Sequence, residues 1–144
     1  MNLKEVFEER RAINFFDINK GIEEGLLKDI INLAVLAPSA FNLQPWEIIA
    51  VKSKEAKEKL YKLSSSQPKI LEAPVTLIIV GNKTGYDETN PTWQDMLKLF
   101  GGDKEKLAGT QGFARSLYGT SEENKLKFAE SNAGLLAKIG RAHV

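Results

Sequence analysis

The stretch that decides the fold is PSAFNLQPW, residues Pro38 to Trp46, which joins a helical pattern ending at Ala37 to a strand pattern. Pro38 and Pro45 fix their own φ angles and push the residues before them out of the α region. Both ends of the connection are therefore stiff. The sequence predicts a loop of defined shape between a helix and a strand.

Three polar side chains lie inside this loop, those of Ser39, Asn42 and Gln44. A side-chain amide offers one acceptor and two donors, which suits it to the mixed donor and acceptor edge of a heterocycle. The alternative is that these groups satisfy only the backbone of their own turn, as Asn and Ser commonly do. The loop alone is compatible with a binding role and with a structural one.

The segments that flank the loop predict a core helix and a short strand. Apolar residues recur at helical spacing from Leu26 to Val35, which predicts a helix that begins at Glu23 and is stopped by Pro38. Residues 46–51 are rich in β-branched and aromatic side chains and predict a strand. Ser53 is then placed to cap a solvated helix over residues 54–63.

A second strand is predicted beyond the turn segment 64–73. Pro74 precedes VTLIIV, a continuous apolar run typical of a strand that is covered on both faces. Glycine and lysine follow in GNKTG and GGDK, but without the spacing of a phosphate-binding P-loop, and no GxGxxG occurs. Rossmann-type and P-loop nucleotide binding are therefore disfavoured.

The last third of the chain predicts three helices. Asn90 and Pro91 predict the N-cap and first residue of a helix ending near Gly101, a second helix spans 105–118, and Thr120 with Glu123 predicts a capping box for the third. The third helix carries apolar residues on two faces, so we expect burial nearly all round. These residues are Leu126, Ala129, Ala133 and Leu136 on one face and Phe128, Gly134 and Leu135 on the other. A helix of this kind requires either a partner subunit or further chain to cover it.

At the other end of the chain, Leu3, Val6, Phe7 and Arg10 follow helical spacing and predict an amphipathic helix over residues 2–13. Its last turn brings Arg10 and Arg11 together. Paired guanidinium groups bind phosphate through bidentate, charge-assisted hydrogen bonds. The alternative is that these arginines only compensate the dipole at the end of the helix.

Composition narrows the classes of function. The 19 acidic and 20 basic residues nearly balance, so we expect no nucleic-acid partner and no association with a membrane. Without cysteine there are no thiolate nucleophiles or thiolate metal sites, and the single histidine, His143, is next to last. We therefore expect no catalytic residue that acts as or with a histidine, and no metal site. If the protein is an enzyme, a bound cofactor carries the reaction.

The N-terminus has no apolar core of the kind found in secretory signals, which favours a cytoplasmic location.

Three segments occur in an order and at separations that together resemble the flavin-dependent nitroreductase family. They are RRAINFFD (10–17), APSAFNLQPW (37–46) and EAPVTLIIV (72–80). The resemblance runs to about Ala137 and implies an α+β fold in which a mostly antiparallel sheet is wrapped by helices. It also implies an intertwined homodimer with two FMN sites at the interface.

The resemblance assigns site residues to three segments of the chain. Arg10 and Arg11 match the basic pair near the FMN phosphate and ring, with Ala12 and Asn14 at positions where the family often has Ser and a basic residue. Gln67 and Lys69 match a segment at the flavin edge, where Lys69 is a candidate to supply the missing cation. The partner subunit's loop is matched by Pro38, Ser39, Ala40 and Asn42.

The activity implied by the resemblance is ping-pong oxidoreduction. NAD(P)H gives hydride to flavin N5 and leaves, and a small-molecule acceptor such as a nitroaromatic or a quinone then takes its place. Related folds carry out dehalogenation and flavin fragmentation, and the sequence excludes neither reaction. A different class of reading is a non-catalytic FMN-binding module, or a fragment without function.

The last seven residues, KIGRAHV, are expected to be a non-native tail. Gly140 interrupts the helical pattern, and one codon choice for Ile139 to Val144, ATC GGA AGA GCA CAC GTC, reproduces a common sequencing-adapter sequence. The sequence therefore predicts one domain over 1–137, incomplete at its C-terminus, followed by a tail over 138–144.

Overall fold

A computed structural model describes residues 3–140 of the chain as an α+β structure. The helices are α1 (Leu3–Glu9), α2 (Glu24–Ala34), α3 (Lys54–Leu63), α4 (Lys69–Glu72), α5 (Trp93–Leu99), α6 (Lys104–Tyr118) and α7 (Glu122–Gly140). The strands are β1 (Trp46–Val51) and β2 (Thr76–Gly81), and a 3-10 turn, Ala40–Asn42, lies between α2 and β1. The α+β class and the predicted positions of both strands are confirmed.

The two strands form an antiparallel ribbon in which Trp46 pairs with Gly81 and Val51 pairs with Thr76. Helix α7 packs on β2 and on α2. Gly81 permits this close approach, because a Cβ atom built at Gly81 would lie 2.7 Å from the carbonyl oxygen of Ala129 in α7. An apolar cavity of about 250 Å³ lies between α2, the sheet and α7.

A second core lies between the end of the Pro38 to Pro45 connection and the C-terminal helices. It consists of the buried side chains Leu43, Tyr86, Trp93, Leu107, Ala114 and Phe128. Trp93 is 1% exposed, and its indole N–H donates to the carbonyl oxygen of Asp87 at 2.9 Å. Aromatic side chains from three separate segments, Tyr86, Trp93 and Phe128, therefore build the core that supports the loop.

The prediction that β2 is covered on both faces is wrong for this chain. One face of the ribbon packs against α7, but on the other face Ile49 is 48% exposed and Val80 is 42% exposed. The apolar run VTLIIV does give β2 hydrophobic side chains on both of its faces. Only one side finds a partner within residues 3–140.

The prediction that the last helix is buried nearly all round is also wrong. Phe128, Ala129 and Leu136 are buried along one side of α7, whereas Leu126 is 46% exposed and Leu135 is 42% exposed. In addition, α7 continues through Lys138 and Ile139 and extends to Gly140, the last of the described residues. Residues 141–144 lie outside the described part of the chain.

Several predicted helix boundaries need correction. Helix α1 ends at Glu9, so Arg10 and Arg11 follow it instead of forming its last turn. Helix α5 begins at Trp93 and not at Pro91, because Pro91 and Thr92 form a turn. Helix α2 spans Glu24–Ala34, and a tight turn precedes Pro38.

The caps of the helices are partly as predicted. Ser53 caps α3, accepting a hydrogen bond from the backbone N–H of Ala56 at 3.2 Å. The capping box of Thr120 and Glu123 is wrong, because Ser121 accepts from the backbone N–H of Asn124 at 3.1 Å instead. The neighbouring hydroxyl is one residue closer to the first turn and takes that role.

Candidate functional site

The proline-bracketed loop (Pro38–Pro45) has a backbone that ordinary residues rarely adopt. Phe41, Asn42 and Gln44 have φ angles of 52°, 54° and 47°, in the left-handed region. Such a conformation is costly for residues other than glycine and persists only where the surroundings hold it. The loop must therefore be fixed by contacts from outside its own sequence.

Polar contacts fix the loop at both ends. The backbone N–H of Ala40 donates to Oδ1 of Asn132 in α7 at 2.8 Å. At the far end, Nδ2 of Asn90 donates to the carbonyl oxygen of Leu43 at 2.9 Å. Within the loop, the hydroxyl of Ser39 accepts from the backbone N–H of Gln44 at 2.9 Å.

Apolar contacts fix the middle of the loop. The ring of Phe41 lies 6.1 Å from that of Trp93, 6.2 Å from that of Phe113 and 6.3 Å from that of Tyr118, measured between centroids. Leu43 is only 1% exposed. These contacts hold the apolar side of the loop against α5 and α6 and turn its other side outward.

The end of the loop is fixed by close packing. A Cβ atom built at Gly85 would lie 2.4 Å from Cβ of Pro45, so only glycine allows the two segments to approach this closely. Gly85 is itself buried. The proline that stiffens the end of the loop is thus also held in place.

One polar side chain of the loop forms a hydrogen bond within the loop, and two others are exposed and available to bind a ligand. Ser39 serves its own turn, as the structural alternative predicted. The side-chain amides of Asn42 and Gln44 are exposed and form no hydrogen bond within the described residues. Pro38 is also exposed. The outer side of the loop therefore presents unused amide donors and acceptors.

The basic segment (Arg10–Asn14) follows α1 as exposed, irregular backbone. The guanidinium of Arg11 donates to the carbonyl oxygen of Glu8 at 2.7 Å and to that of Arg10 at 2.9 Å. This is the helix-end role that the sequence left open for an arginine. The guanidinium of Arg10 forms no ion pair within residues 3–140 and is available for an anion.

Two predicted site residues far apart in sequence meet in the structure. The ammonium group of Lys69, at the start of α4, donates to Oδ1 of Asn14 at 2.7 Å. The bond leaves the NH2 group of Asn14 and two N–H groups of Lys69 free to donate. Gln67 lies two residues before Lys69 and is exposed, as is Ala12.

The basic segment and the loop are not joined to each other in the described chain. Hydrogen bonds from the loop lead to α7 and to Asn90, whereas those of the basic segment lead to α1 and α4. A polar cleft of about 440 Å³ beside the loop is lined by residues of 43–47, 82–85 and 89–92 instead. No hydrogen bond among the described residues therefore connects the two halves of the predicted site.

Ion pairs perturb the acid–base behaviour of two carboxylates outside the site. Hydrogen bonds from Lys125 and Lys83 lower the pKa of Glu122, and the same carboxylate raises the pKa of Lys125. A hydrogen bond from Lys52 lowers the pKa of Glu24. These pairs tie surface elements together and do not place a tuned acid or base beside either half of the site.

Neither a metal-ligand cluster nor a membrane-crossing helix occurs among residues 3–140. Across residues 3–140, no three carboxylate or imidazole groups converge as metal ligands would. In the same range, no helix combines the length and apolar character that a bilayer-crossing segment needs.

Sequence reasoning missed the residues that hold the loop. Asn132 is 3% exposed within an apolar face of α7, and the sequence predicts Asn90 only as a helix cap. The signal that marks Asn132 is a lone amide within the run Phe128 to Leu136. For Asn90, both amide functions are used, since Oδ1 accepts from the N–H of Thr92 while Nδ2 donates to Leu43.

Comparison with known proteins places these features in a family. The model of the nitroreductase family matches residues 7–118, which include the basic segment, the loop and both strands. The chain is 33% identical over 96 residues to the putative NAD(P)H nitroreductase MhqN of Bacillus subtilis, covering 67% of this chain and 46% of MhqN. It spans about half the length of several curated relatives that it matches.

Solved structures agree with this fold. The putative nitroreductase ydfN of Bacillus subtilis superposes with a TM-score of 0.83 at 28% identity, over 96% of this chain and 68% of that one. A putative NAD(P)H:FMN oxidoreductase of Staphylococcus epidermidis superposes with a TM-score of 0.83 at 26% identity, over 96% and 66%. The loop with its left-handed residues, the antiparallel ribbon and the match over most of the chain lead to one conclusion: the protein belongs to the nitroreductase family.

Proposed function

We propose that this protein acts as an FMN-dependent NAD(P)H oxidoreductase. The observation that carries the proposal is the hydrogen bond between Lys69 and Asn14, which joins two predicted flavin-edge residues across 55 positions of sequence. Membership of the nitroreductase family supports it, as does the similarity to a putative NAD(P)H:FMN oxidoreductase.

The residues present fit the chemistry of FMN. Arg10 is exposed and available, and a guanidinium suits the phosphate group. The free NH2 group of Asn14 and the ammonium group of Lys69 suit the carbonyl-bearing edge of the ring. Asn42 offers an exposed amide from the loop. The donor set thus matches the phosphate and the polar edge of the ring.

The predicted site residues form three groups with different roles in this proposal. Arg10 and Arg11 hold the phosphate, while Ala12, Asn14, Gln67 and Lys69 line the ring edge. The loop residues Pro38, Ser39, Ala40 and Asn42 lie against the ring from the other side. The chemistry that FMN supplies is ping-pong hydride transfer through N5, from NAD(P)H to a nitroaromatic, a quinone or a similar acceptor.

The two halves of the site come from different subunits of a homodimer in this proposal. Support comes from the separate contacts of the basic segment and the loop within one chain. Apolar side chains are also left open, with Phe15 87% exposed and Leu36 76% exposed. Surfaces of this kind mark interfaces between proteins. We place this dimer in the cytoplasm, where its nicotinamide reductant is found.

Purified protein tests this function directly. After incubation with FMN and removal of free ligand, we expect bound flavin in the visible absorbance spectrum. The loaded protein should oxidise NAD(P)H when menadione or a nitroarene is added. Bound FMN without turnover would indicate a non-catalytic binding module, and a colourless protein would refute the proposed function.

A further inference from the structure

We propose that Asn132 is a positioning residue that holds the proline-bracketed loop in the conformation that binds FMN. This role rests on the function proposed above. It concerns a residue of α7 that belongs to neither half of the predicted site.

Asn132 stands out by its burial. It is 3% exposed and lies next to the buried Phe128, Ala129 and Leu136. Among residues 3–140, no other polar or charged residue is buried to this degree. Burying an amide is unfavourable unless its donor and acceptor find partners. A residue of this kind in an apolar helix face therefore has a specific partner.

Both functions of the Asn132 amide are used. Oδ1 accepts from the backbone N–H of Ala40 at 2.8 Å, and Nδ2 donates to the carbonyl oxygen of Phe128 at 2.6 Å. The backbone N–H of Ala40 is a donor only, so it must face the oxygen of the amide. The bond connects α7 to a residue 92 positions earlier in the chain.

The position of this bond explains its effect on the loop. Ala40 directly precedes the left-handed residues Phe41 and Asn42. The bond between Ser39 and Gln44 lies within the loop, so it cannot fix the loop relative to the rest of the fold. Asn90 fixes the far end at Leu43, and Asn132 fixes the near end. Without Asn132, the segment that presents Asn42 has a polar anchor on one side only.

Hydrogen exchange of the FMN-free protein provides the first test. Asn132→Leu keeps the branched shape and the number of heavy atoms of the side chain and removes its hydrogen bonds. We expect the backbone amides of Asn42 and Leu43 to exchange about tenfold faster in this variant. The matched control is Ser131→Ala, because the Ser131 hydroxyl donates to the carbonyl oxygen of Phe128 and forms no hydrogen bond to the loop within the described residues. The control should exchange as the wild type does.

FMN affinity provides the second test. Asn132→Leu should raise the dissociation constant about tenfold, and Ser131→Ala should leave it within about twofold. Urea unfolding of the same samples separates positioning from general stability. A variant that loses stability but keeps wild-type FMN affinity would overturn the positioning role.

A variant on the loop side covers the case in which Asn132→Leu fails to fold. Ala40→Pro removes the same N–H donor and leaves α7 unchanged. Ser39 has φ −137° and ψ 159°, the extended conformation that a residue before proline prefers. We expect faster exchange at Asn42 and Leu43 in this variant too, and unchanged exchange would contradict the role. Wild-type protein that takes up no FMN would overturn the proposed function as well, whereas equal FMN affinity in wild type and Asn132→Leu overturns only the role of Asn132.

Discussion

At the scale of single residues, the site is defined by polar groups that are held in place while part of their hydrogen-bonding capacity is unused. Lys69 and Asn14 illustrate this, because one hydrogen bond of 2.7 Å orients both side chains and leaves donors free on each. Ser39 shows the opposite case, since its hydroxyl serves the loop. The sequence predicted the right residue types but could not separate these two uses.

Lys69 should tune the flavin electrostatically. Negative charge develops at the N1 and O2 edge of the ring on reduction, and a nearby ammonium group stabilises it. Replacing Lys69 by Ala should lower the two-electron reduction potential of bound FMN by about 30 mV, equivalent to about 1.4 kcal/mol. Potentiometric titration measures this shift.

Lys62→Ala is the matched control for Lys69, because Lys62 is an exposed lysine in the last turn of α3. Its removal should leave the potential of bound FMN unchanged. Equal potentials in Lys69→Ala and the control would exclude a role for Lys69 at the ring edge.

At the scale of elements, the loop is a strained connection held by helices that come much later in the chain. Its two prolines and its flanking helix and strand are local features, and the sequence predicted them. Its left-handed residues Phe41 and Asn42 depend on α5, α6 and α7. Local propensity does not report such distant contacts, so the sequence does not show which segment Asn90 and Asn132 anchor.

The start of α7 provides a prediction about pH. Lys83, which follows β2, forms an ion pair with Glu122 at 3.0 Å, and Lys125 pairs with the same carboxylate at 2.7 Å. Because the pKa of Glu122 is lowered from its ordinary value of 4.5, its contribution to stability is present above that value and is lost as pH falls through the folded-state pKa. Because the pKa of Lys125 is raised, its contribution is present below its ordinary value of 10.5 and is lost as pH rises through the folded-state pKa.

Glu122→Gln should therefore be less stable than the wild type at pH 7, and the difference should shrink as the pH is lowered below the ordinary carboxylate value. Urea unfolding at a series of pH values measures it. Glu130→Gln, an exposed carboxylate in the middle of α7, serves as the control. A difference between wild type and Glu122→Gln that is constant across acidic pH would contradict the assignment.

At the scale of the whole molecule, the open apolar surfaces connect the fold to the site. The sequence predicted apolar faces on β2 and on the last helix correctly, but it placed them in the interior. In the structure Val80 and Leu126 remain half-exposed, because residues 3–140 contain no element that covers them. The spacing of apolar residues in a sequence shows that a face is hydrophobic, but it does not show which molecule covers that face. The same gap applies to the site, whose two halves were predicted by resemblance and share no hydrogen bond within residues 3–140.

A mixed dimer tests most directly whether the basic segment of one subunit and the loop of its partner close around one FMN. One variant, Arg10→Ala with Arg11→Ala, disables the basic segment. The other, Asn42→Trp, places a bulky ring on the outer side of the loop. Each homodimer should bind no FMN.

The decisive measurement is the flavin content of the mixed dimer, isolated through a different affinity tag on each variant. In a mixed dimer with composite sites, one site combines both altered segments and the other combines both intact segments. We predict one bound FMN per mixed dimer, against two in the wild-type dimer. A mixed dimer that binds no FMN, although wild-type protein does, would contradict a site shared between subunits.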